Sequence, residues 1–272
     1  MDAMPDNSAG IPELASLCVC VLGSGSKGNC TYVESPEARI LIDAGLSARE
    51  IARRLWQIGR SPETLDGVLI SHEHSDHIQG LGALARRYAL PIYANSATWQ
   101  RAQHVVGLVD DRREFWTGTP FLLRDLAIEP FPLPHDADDP VAFRLSWHRR
   151  TIAIVTDLGY PTQLVRERIK GCHLLVLEAN HDEAMLRAGP YPWPLKQRIG
   201  GKSGHLSNLQ SSQLLRDVLH DELEHVILAH LSETNNLPDL ARLTAQEVLG
   251  SRGIQLSIAS QRDASKWFLL PD

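Results

Sequence analysis

Four potential metal ligands fall within six residues at His72, His74, Asp76 and His77. In an extended segment, side chains two apart point the same way, so His72 and His74 can grip one cation. The chain then turns, and Asp76 and His77 can face a second cation beside the first. Imidazole with carboxylate suits zinc, manganese or iron, and the lack of thiolate argues against a closed structural zinc site. The group directly follows an apolar run, Gly67 to Ile70, which argues against a chance histidine-rich surface loop.

Such residues need strands and helices to hold them. Leu17–Leu22, Thr31–Glu34, Arg39–Ile42, Gly67–Ile70 and Pro91–Ala94 read as strands. Ser47–Ile58 is amphipathic, with Ile51, Leu55 and Ile58 on one face, and Gln79–Tyr88 predicts a second helix. The grammar recurs after residue 150. Thr151–Val155, Leu174–Leu177 and His225–Ala229 read as strands, with helices at Gln163–Ile169, Leu209–Leu219 and Asp239–Leu249. Two β-then-α halves with helices on the outside predict an α/β, four-layer αββα sandwich. Residues 1–16 read as a loose N-terminal segment and 17–272 as the domain. The stretch from Gly23 to Gly28 matches G-x-G-x-x-G, but a dinucleotide site requires that loop to open a helix. Here it opens Cys30–Glu34, a strand by composition, so a tight glycine turn between two strands is expected.

Further motifs carry a family resemblance. Asp43 in Leu-Ile-Asp-Ala-Gly, His135 in Pro-His-Asp-Ala, Asp157 in Thr-Asp-Leu-Gly and His230 in Ala-His-Leu-Ser follow in order. With the His72–His77 motif, the chain resembles the metallo-β-lactamase superfamily from about Leu17 to its C-terminus. The turn Gly23–Asn29, Glu178-Ala-Asn-His181-Asp182, Leu195–Ile199, Gly204–Asn208 and His230–Asn236 narrow this. They resemble the YycJ/WalJ (VicX) group, on the DNA- and RNA-processing side of the superfamily. The resemblance implies that His72, His74 and His135 hold one divalent metal ion and Asp76, His77 and His230 a second. Asp157 would bridge the two. Asp43 and His181 would support the ligands from behind, Asp43 by fixing the histidine loop. The ions would be zinc or manganese, with iron also chemically suitable. The activity implied is 5′-to-3′ exonuclease action on double-stranded DNA.

A two-metal site supplies hydroxide at neutral pH and offsets charge on phosphoryl oxygen, and Asp76 belongs to that chemistry. Phosphodiester cleavage must still protonate a departing alkoxide. Glu178 and His205 suit this by type, the carboxylate orienting an imidazole that donates the proton. A small-molecule hydrolase of the lactamase or glyoxalase II type is the alternative, with the same ligands and less need of that pair. A non-enzymatic scaffold with a relict site is the other rival. Pro190–Lys202 is rich in proline and glycine and is expected to be a loop. Its Lys196, Arg198 and Lys202 can hold phosphates while Tyr191 or Trp193 stacks on a base. Ser24, Ser26, Lys27 and Asn29 can likewise reach a phosphate from the glycine turn. His104, His148, His173, His220 and His225 lack metal-type neighbours and read as structural or surface residues.

The 272 residues carry a formal net charge of −6, which excludes a uniformly basic nucleic-acid binder. It does not exclude one that engages DNA, rather than RNA, through its metals. No apolar run reaches the roughly 18 residues that span a bilayer, so no membrane partner is expected. Met1–Gly10 holds Asp2 and Asp6 without Lys or Arg, unlike a secretory signal. Four cysteines without a C-x-x-C pair suit a reducing cytoplasm, and a monomer or simple homo-oligomer is expected.

Overall fold

The structure is a computed structural model that describes residues 15–272. Most of the expected loose N-terminal segment, 1–14, lies outside those residues, and Ser16 already belongs to the first strand. Strands β1 (Ser16–Gly23), β2 (Cys30–Glu34), β3 (Arg39–Ile42), β4 (Gly67–Leu69), β5 (Ile92–Ala94) and β6 (Arg112–Glu114) build the first sheet. The second holds β7 (Phe121–Leu123), β8 (Leu126–Pro132), β9 (Val141–Trp147), β10 (Arg150–Val155), β11 (Leu174–Glu178), β12 (His225–Ala229) and β13 (Gln255–Ile258). β14 (Phe268–Pro271) returns to pair with β1. The helices are α1 (Ala48–Gln57), α2 (Ser75–Ile78), α3 (Leu81–Tyr88), α4 (Ser96–Val106), α5 (Gln163–Ile169), α6 (Glu183–Ala188), α7 (Trp193–Ile199), α8 (Asn208–Val218) and α9 (Pro238–Leu249).

Each sheet begins with antiparallel neighbours and ends in parallel ones. β1–β2–β3 are antiparallel and β3–β4–β5–β6 parallel. β7 to β10 are antiparallel and β10 to β13 parallel. Parallel neighbours need crossover connections, which the helices supply. β10, β11 and β12 are near-continuous runs of Ile, Val, Leu and Ala because both of their faces are covered. Alternation then divides the core into three layers. Ile152 and Ile154 join Leu17, Val19, Val21, Val33 and Phe143 between the sheets. Ala153 and Val155 face Val165 of α5, Leu214 and Leu215 of α8 and Ala241 of α9. Cys20 and Leu22 face Ile51 and Leu55 of α1, Leu84 of α3 and Trp99 of α4. The order helix, sheet, sheet, helix is the expected αββα sandwich.

The structure also departs from the sequence reading. Pro190–Lys202 is not a continuous loop, because Trp193–Ile199 forms α7. Pro192 caps that helix and Pro194 sits in its first turn, where a missing N–H costs no helical hydrogen bond. The helix expected from Gln79 starts at Leu81, and a separate turn, α2, carries Asp76 and His77. Residues 95–149 show no clean period in sequence yet hold α4 and β6 to β9. There β6 is a charged, exposed edge strand and β8 contains Pro130 and Pro132.

All four cysteines are free and buried. Burial pushes the Cys18 thiol up to about 12, helped by Glu34, and raises Cys20 and Cys172 to about 11. The reactive thiolate is therefore scarce at pH 8. An aromatic disulfide reagent at that pH should label none of the four within minutes in the native protein and all four in guanidinium. Rapid native labelling would contradict the burial described here.

Candidate metal centre and cleft

The chemistry-bearing residues gather at one rim, past the C-terminal ends of the strands, where open α/β sheets commonly bind ligands. Asp43 follows β3, His72 follows β4, Asp157 follows β10 and His230 follows β12, while Glu178 is the last residue of β11. Asp43, Asp157 and His230 all hold left-handed backbone, with φ of 63°, 61° and 56°. That conformation is sparsely populated by residues with a Cβ, and its cost is held in place by the surrounding bonds.

His72, His74 and His135 converge. His74 Nδ1 lies 3.1 Å from His72 Nε2 and 3.2 Å from His135 Nε2. The remaining nitrogens of His72 and His135 are engaged behind. His72 Nδ1 is 2.9 Å from the Ser71 hydroxyl, and His135 Nδ1 donates to the Gly204 carbonyl at 3.1 Å. With Nδ1 donating, His135 Nε2 presents a lone pair to the cluster. Burial, reinforced by neighbouring His77, drives the His72 pKa well below the ordinary histidine value, favouring the neutral, ligating form.

A second group forms beside it. Asp76 Oδ2 lies 3.5 Å from His230 Nε2 and 3.7 Å from His77 Nε2, and Asp157 Oδ2 is 3.0 Å from His77 Nε2. His77 Nδ1 donates to Asp43 Oδ2 at 2.7 Å. Asp43 also accepts the Ser71 N–H and hydroxyl, each at 2.8 Å, so it ties the histidine loop to β3. Burial by itself depresses His77, but Asp157, Asp43 and Asp76 outweigh it and raise the pKa well above normal. Burial likewise opposes the ionised form of Asp157, yet His230 and His77 hold its carboxyl well below the usual range.

Two buried atoms at this centre, Asp157 Oδ2 and His230 Nε2, make no hydrogen bond. Buried polar atoms rarely go unsatisfied. Donor atoms of His72, His74 and His135 lie within 4.8 Å of one another, as do those of Asp76, His77 and His230 and those of His72, His77 and Asp157. The arrangement is compatible with a pair of divalent cations, and Asp157 stands between the two groups.

Glu178 is fully buried behind the same rim. Its Oε1 accepts from His230 Nδ1 at 2.8 Å, His205 Nδ1 at 2.9 Å and the Asp157 N–H at 3.2 Å. Its Oε2 accepts the Leu158 and Leu206 N–H groups at 2.9 and 3.0 Å. Burial alone would raise the Glu178 pKa, but His205 and His230 bring it down to about 2. For His205, burial lowers the pKa and Glu178 raises it further, so the net direction is upward.

These residues open into a cleft of about 350 Å³. His74, Asp76, His135, Asp157, His205 and His230 line it, and Tyr191, Leu195, Arg198 and Ile199 from the α7 region form one wall. Of the expected phosphate contacts, Ser26 and Arg198 line the cleft, and Arg198 is paired with Asp136. Ser24 and Asn29 do not, being 4% and 5% exposed with their polar atoms committed internally. The Lys27 ammonium pairs with Glu233 at the surface, Lys196 bonds the Arg187 carbonyl, and Lys202 lies outside the cleft lining. His181 is buried beside Asn180 and bridged to Ser207, joining neither donor group. Asp136 was not singled out by sequence, although it directly follows His135 and lies 3.3 Å from His135 Nε2.

Because the donor groups leave buried atoms unsatisfied, divalent ions should stabilise the fold measurably. At about 100 times Kd, one ligand contributes about 2.7 kcal/mol. For a chain of this size, each kcal/mol moves Tm by roughly 2–4 °C. Chelator-treated protein should therefore melt about 5 °C or more below protein resupplied with Mn²⁺ or Zn²⁺. Coincident melting curves would show that these donors hold no ion.

The Beta-lactamase superfamily domain model matches residues 38–254. The chain is 41% identical over 235 residues to the exodeoxyribonuclease YycJ of Bacillus anthracis, covering 86% of this chain and 89% of that one. It is 38% identical over 242 residues to the exodeoxyribonuclease WalJ of Streptococcus pneumoniae serotype 2, covering 88% and 90%. Among solved structures, the metallo-beta-lactamase fold protein YhfI from Bacillus subtilis matches with a TM-score of 0.72 at 20% identity, covering 93% of this chain and 99% of that one. The αββα sandwich with its rim of histidines and carboxylates thus has its place: the chain belongs to the metallo-β-lactamase superfamily, in the family of the YycJ and WalJ exodeoxyribonucleases.

Proposed function

We propose that the protein is a di-metal phosphodiesterase that releases nucleotides from the 5′ ends of double-stranded DNA. The observation that carries this reading is His205 in the cleft lining, held by the buried Glu178 behind it, beside the two donor groups. Hydrolysis of a lactam or thioester has less need of a positioned proton donor, whereas a phosphodiester releases an alkoxide that must be protonated. The names of the YycJ and WalJ relatives support the choice of DNA. The four unpaired thiols fit a cytoplasmic setting, and no helix among the described residues is long and apolar enough to cross a membrane.

His72, His74 and His135 would hold one ion, Asp76, His77 and His230 the other, and Asp157 would be shared. Zinc or manganese suits this donor set best. Bound there, the ions would activate water for attack and offset charge on the phosphoryl oxygens. The remaining work falls to the chain. Glu178 accepts the Nδ1–H of His205, which fixes the ring and leaves Nε2 as the nitrogen able to deliver a proton to the departing 3′ oxygen. Arg198, steadied by Asp136, meets phosphate from the α7 wall, and Ser26 offers a hydroxyl from the opposite turn. Tyr191 provides an aromatic surface for the terminal sugar or base.

Purified protein with Mn²⁺ or Zn²⁺ should release mononucleotides from 5′-phosphorylated duplex DNA and leave precursor RNA and a chromogenic β-lactam intact. Lactam turnover without nuclease action would sink the reading. His205→Ala should lower kcat by on the order of 10²-fold or more while keeping both ions. Glu178→Gln should lose metal as well, because an amide cannot accept from all five donors and leaves His230 unsupported. Equal metal content in the two variants would contradict the role given to Glu178.

A further inference from the structure

The glycine turn between β1 and β2 carries serine, lysine and asparagine side chains of a kind that grips phosphate. Its two buried members instead face the second donor group. Ser24 Oγ accepts the His230 N–H at 2.7 Å, the residue whose backbone is left-handed. The Asn29 N–H donates to the Asp76 carbonyl at 2.7 Å. Asn29 Nδ2 lies 3.1 Å from His77 Nε2 and 3.4 Å from both Asp76 Oδ2 and the Asp76 carbonyl. The amide cannot be turned the other way without loss, because Asn29 Oδ1 accepts the Gly25 N–H at 2.9 Å. Asp76, His77 and His230, one whole donor group, are therefore each touched by this one turn.

The backbone explains why the motif is rich in glycine. Gly25 and Gly28 have φ of 143° and 141°, which lets the turn fold back and bring Ser24 and Asn29 together. On the far side, Gly45 donates to the Asn29 carbonyl at 2.9 Å, and a Cβ there would stand 1.7 Å from the Asp76 carbonyl oxygen. Turn, histidine loop and the chain after β3 are thus in backbone contact, with no room for a side chain between them.

We propose that Ser24 and Asn29 are positioning residues for the second metal site, and that the turn is not primarily a phosphate cradle. The inference rests on the di-metal reading above. Lone-pair arithmetic defines the role of Asn29. In the neutral ring that ligation requires, His77 Nδ1 donates to Asp43 and Nε2 has a single lone pair, whereas Asp76 Oδ2 can accept twice. A cation that takes the His77 lone pair leaves the Asn29 amide to Asp76, so the amide aims the carboxylate while the ring ligates. Ser24 fixes the backbone from which His230 projects.

The test is a two-site calorimetric titration of metal-free, full-length protein with Mn²⁺ and, separately, Zn²⁺, alongside Tm. Asn29→Ala should weaken one of the two binding events by about tenfold or more and leave the other unchanged, the scale found for supporting partners of metal ligands. Ser24→Ala, a smaller change, should weaken the same event and decides the matter if Asn29→Ala does not fold. Gln261→Ala is the control, since Gln261 grips this turn from outside through the Lys27 N–H and the Gly28 carbonyl. It should lower Tm without altering either affinity. Unchanged affinities in both Asn29→Ala and Ser24→Ala, or an equal loss in Gln261→Ala, would overturn the proposal. Wild-type protein that takes up fewer than two equivalents would instead overturn the di-metal reading, and this inference with it.

Discussion

An ionised carboxylate with no exposed surface organises this rim. Removing such a group from water costs several kcal/mol unless its lone pairs are filled, and Glu178 fills them with five donors. Those donors come from three separated stretches: the loop after β10, the approach to α8 and the end of β12. None of the three can move away without leaving a buried charge partly unsatisfied. The His205 and His230 rings are therefore both set by one atom, Oε1. The first sheet repeats the device with Asp43, which accepts from Ser71 twice and from His77. Each half of the sandwich thus contributes a buried carboxylate behind the histidines it supplies.

That shared logic accounts for the backbone strain. Asp43, Asp157 and His230 each leave a strand in left-handed conformation, which turns the side chain out of the sheet and back over the rim. Asp157 and His230 are bound, through backbone and side chain respectively, to Glu178, and Asp43 holds the loop that carries His72 and His77. The strain persists because charge pairing opposes its release. A rim built this way is stiff before any ligand arrives, as a centre with fixed donor positions requires.

Local spacing made His72, His74, Asp76 and His77 legible, because a six-residue motif is close in space whatever the fold does with it. The layers of the sandwich were legible too, since β10, β11 and β12 are apolar runs and α1 is strongly one-sided. His135, Asp157 and His230 were reached by family resemblance; only the topology brings residues so far apart in sequence to one rim. Position within the site was less legible. Ser24 and Asn29 have the side chains of phosphate binders, and nothing in their types says that they point inward. The α7 helix was hidden by Pro192 and Pro194, which signal a loop unless they fall in a first turn. Asp136 and Arg198 form a pair across 62 residues, a contact that no local pattern announces.

The charge balance closes the same circle. The sequence holds four adjacent arginine pairs, Arg53-Arg54, Arg86-Arg87, Arg112-Arg113 and Arg149-Arg150, and the fold uses several of these side chains away from the cleft. Arg54 is buried against the Leu22 carbonyl, Arg86 caps the carbonyls of Val106 and Leu108, and Arg112 and Arg113 lie over Trp99 and Tyr93. Arg150 is paired with Glu224. Among the described residues, Arg198 is the one Lys or Arg lining the cleft, and Asp136 offsets it. A cleft walled by Asp76, Asp136 and Asp157 repels a phosphodiester on its own. Two divalent ions would bring the formal −6 to about −2 and place their whole contribution at the donors. On the proposed reading, substrate recognition and metal loading would be a single electrostatic event, the acidic cleft accepting phosphate once its histidine rim is filled.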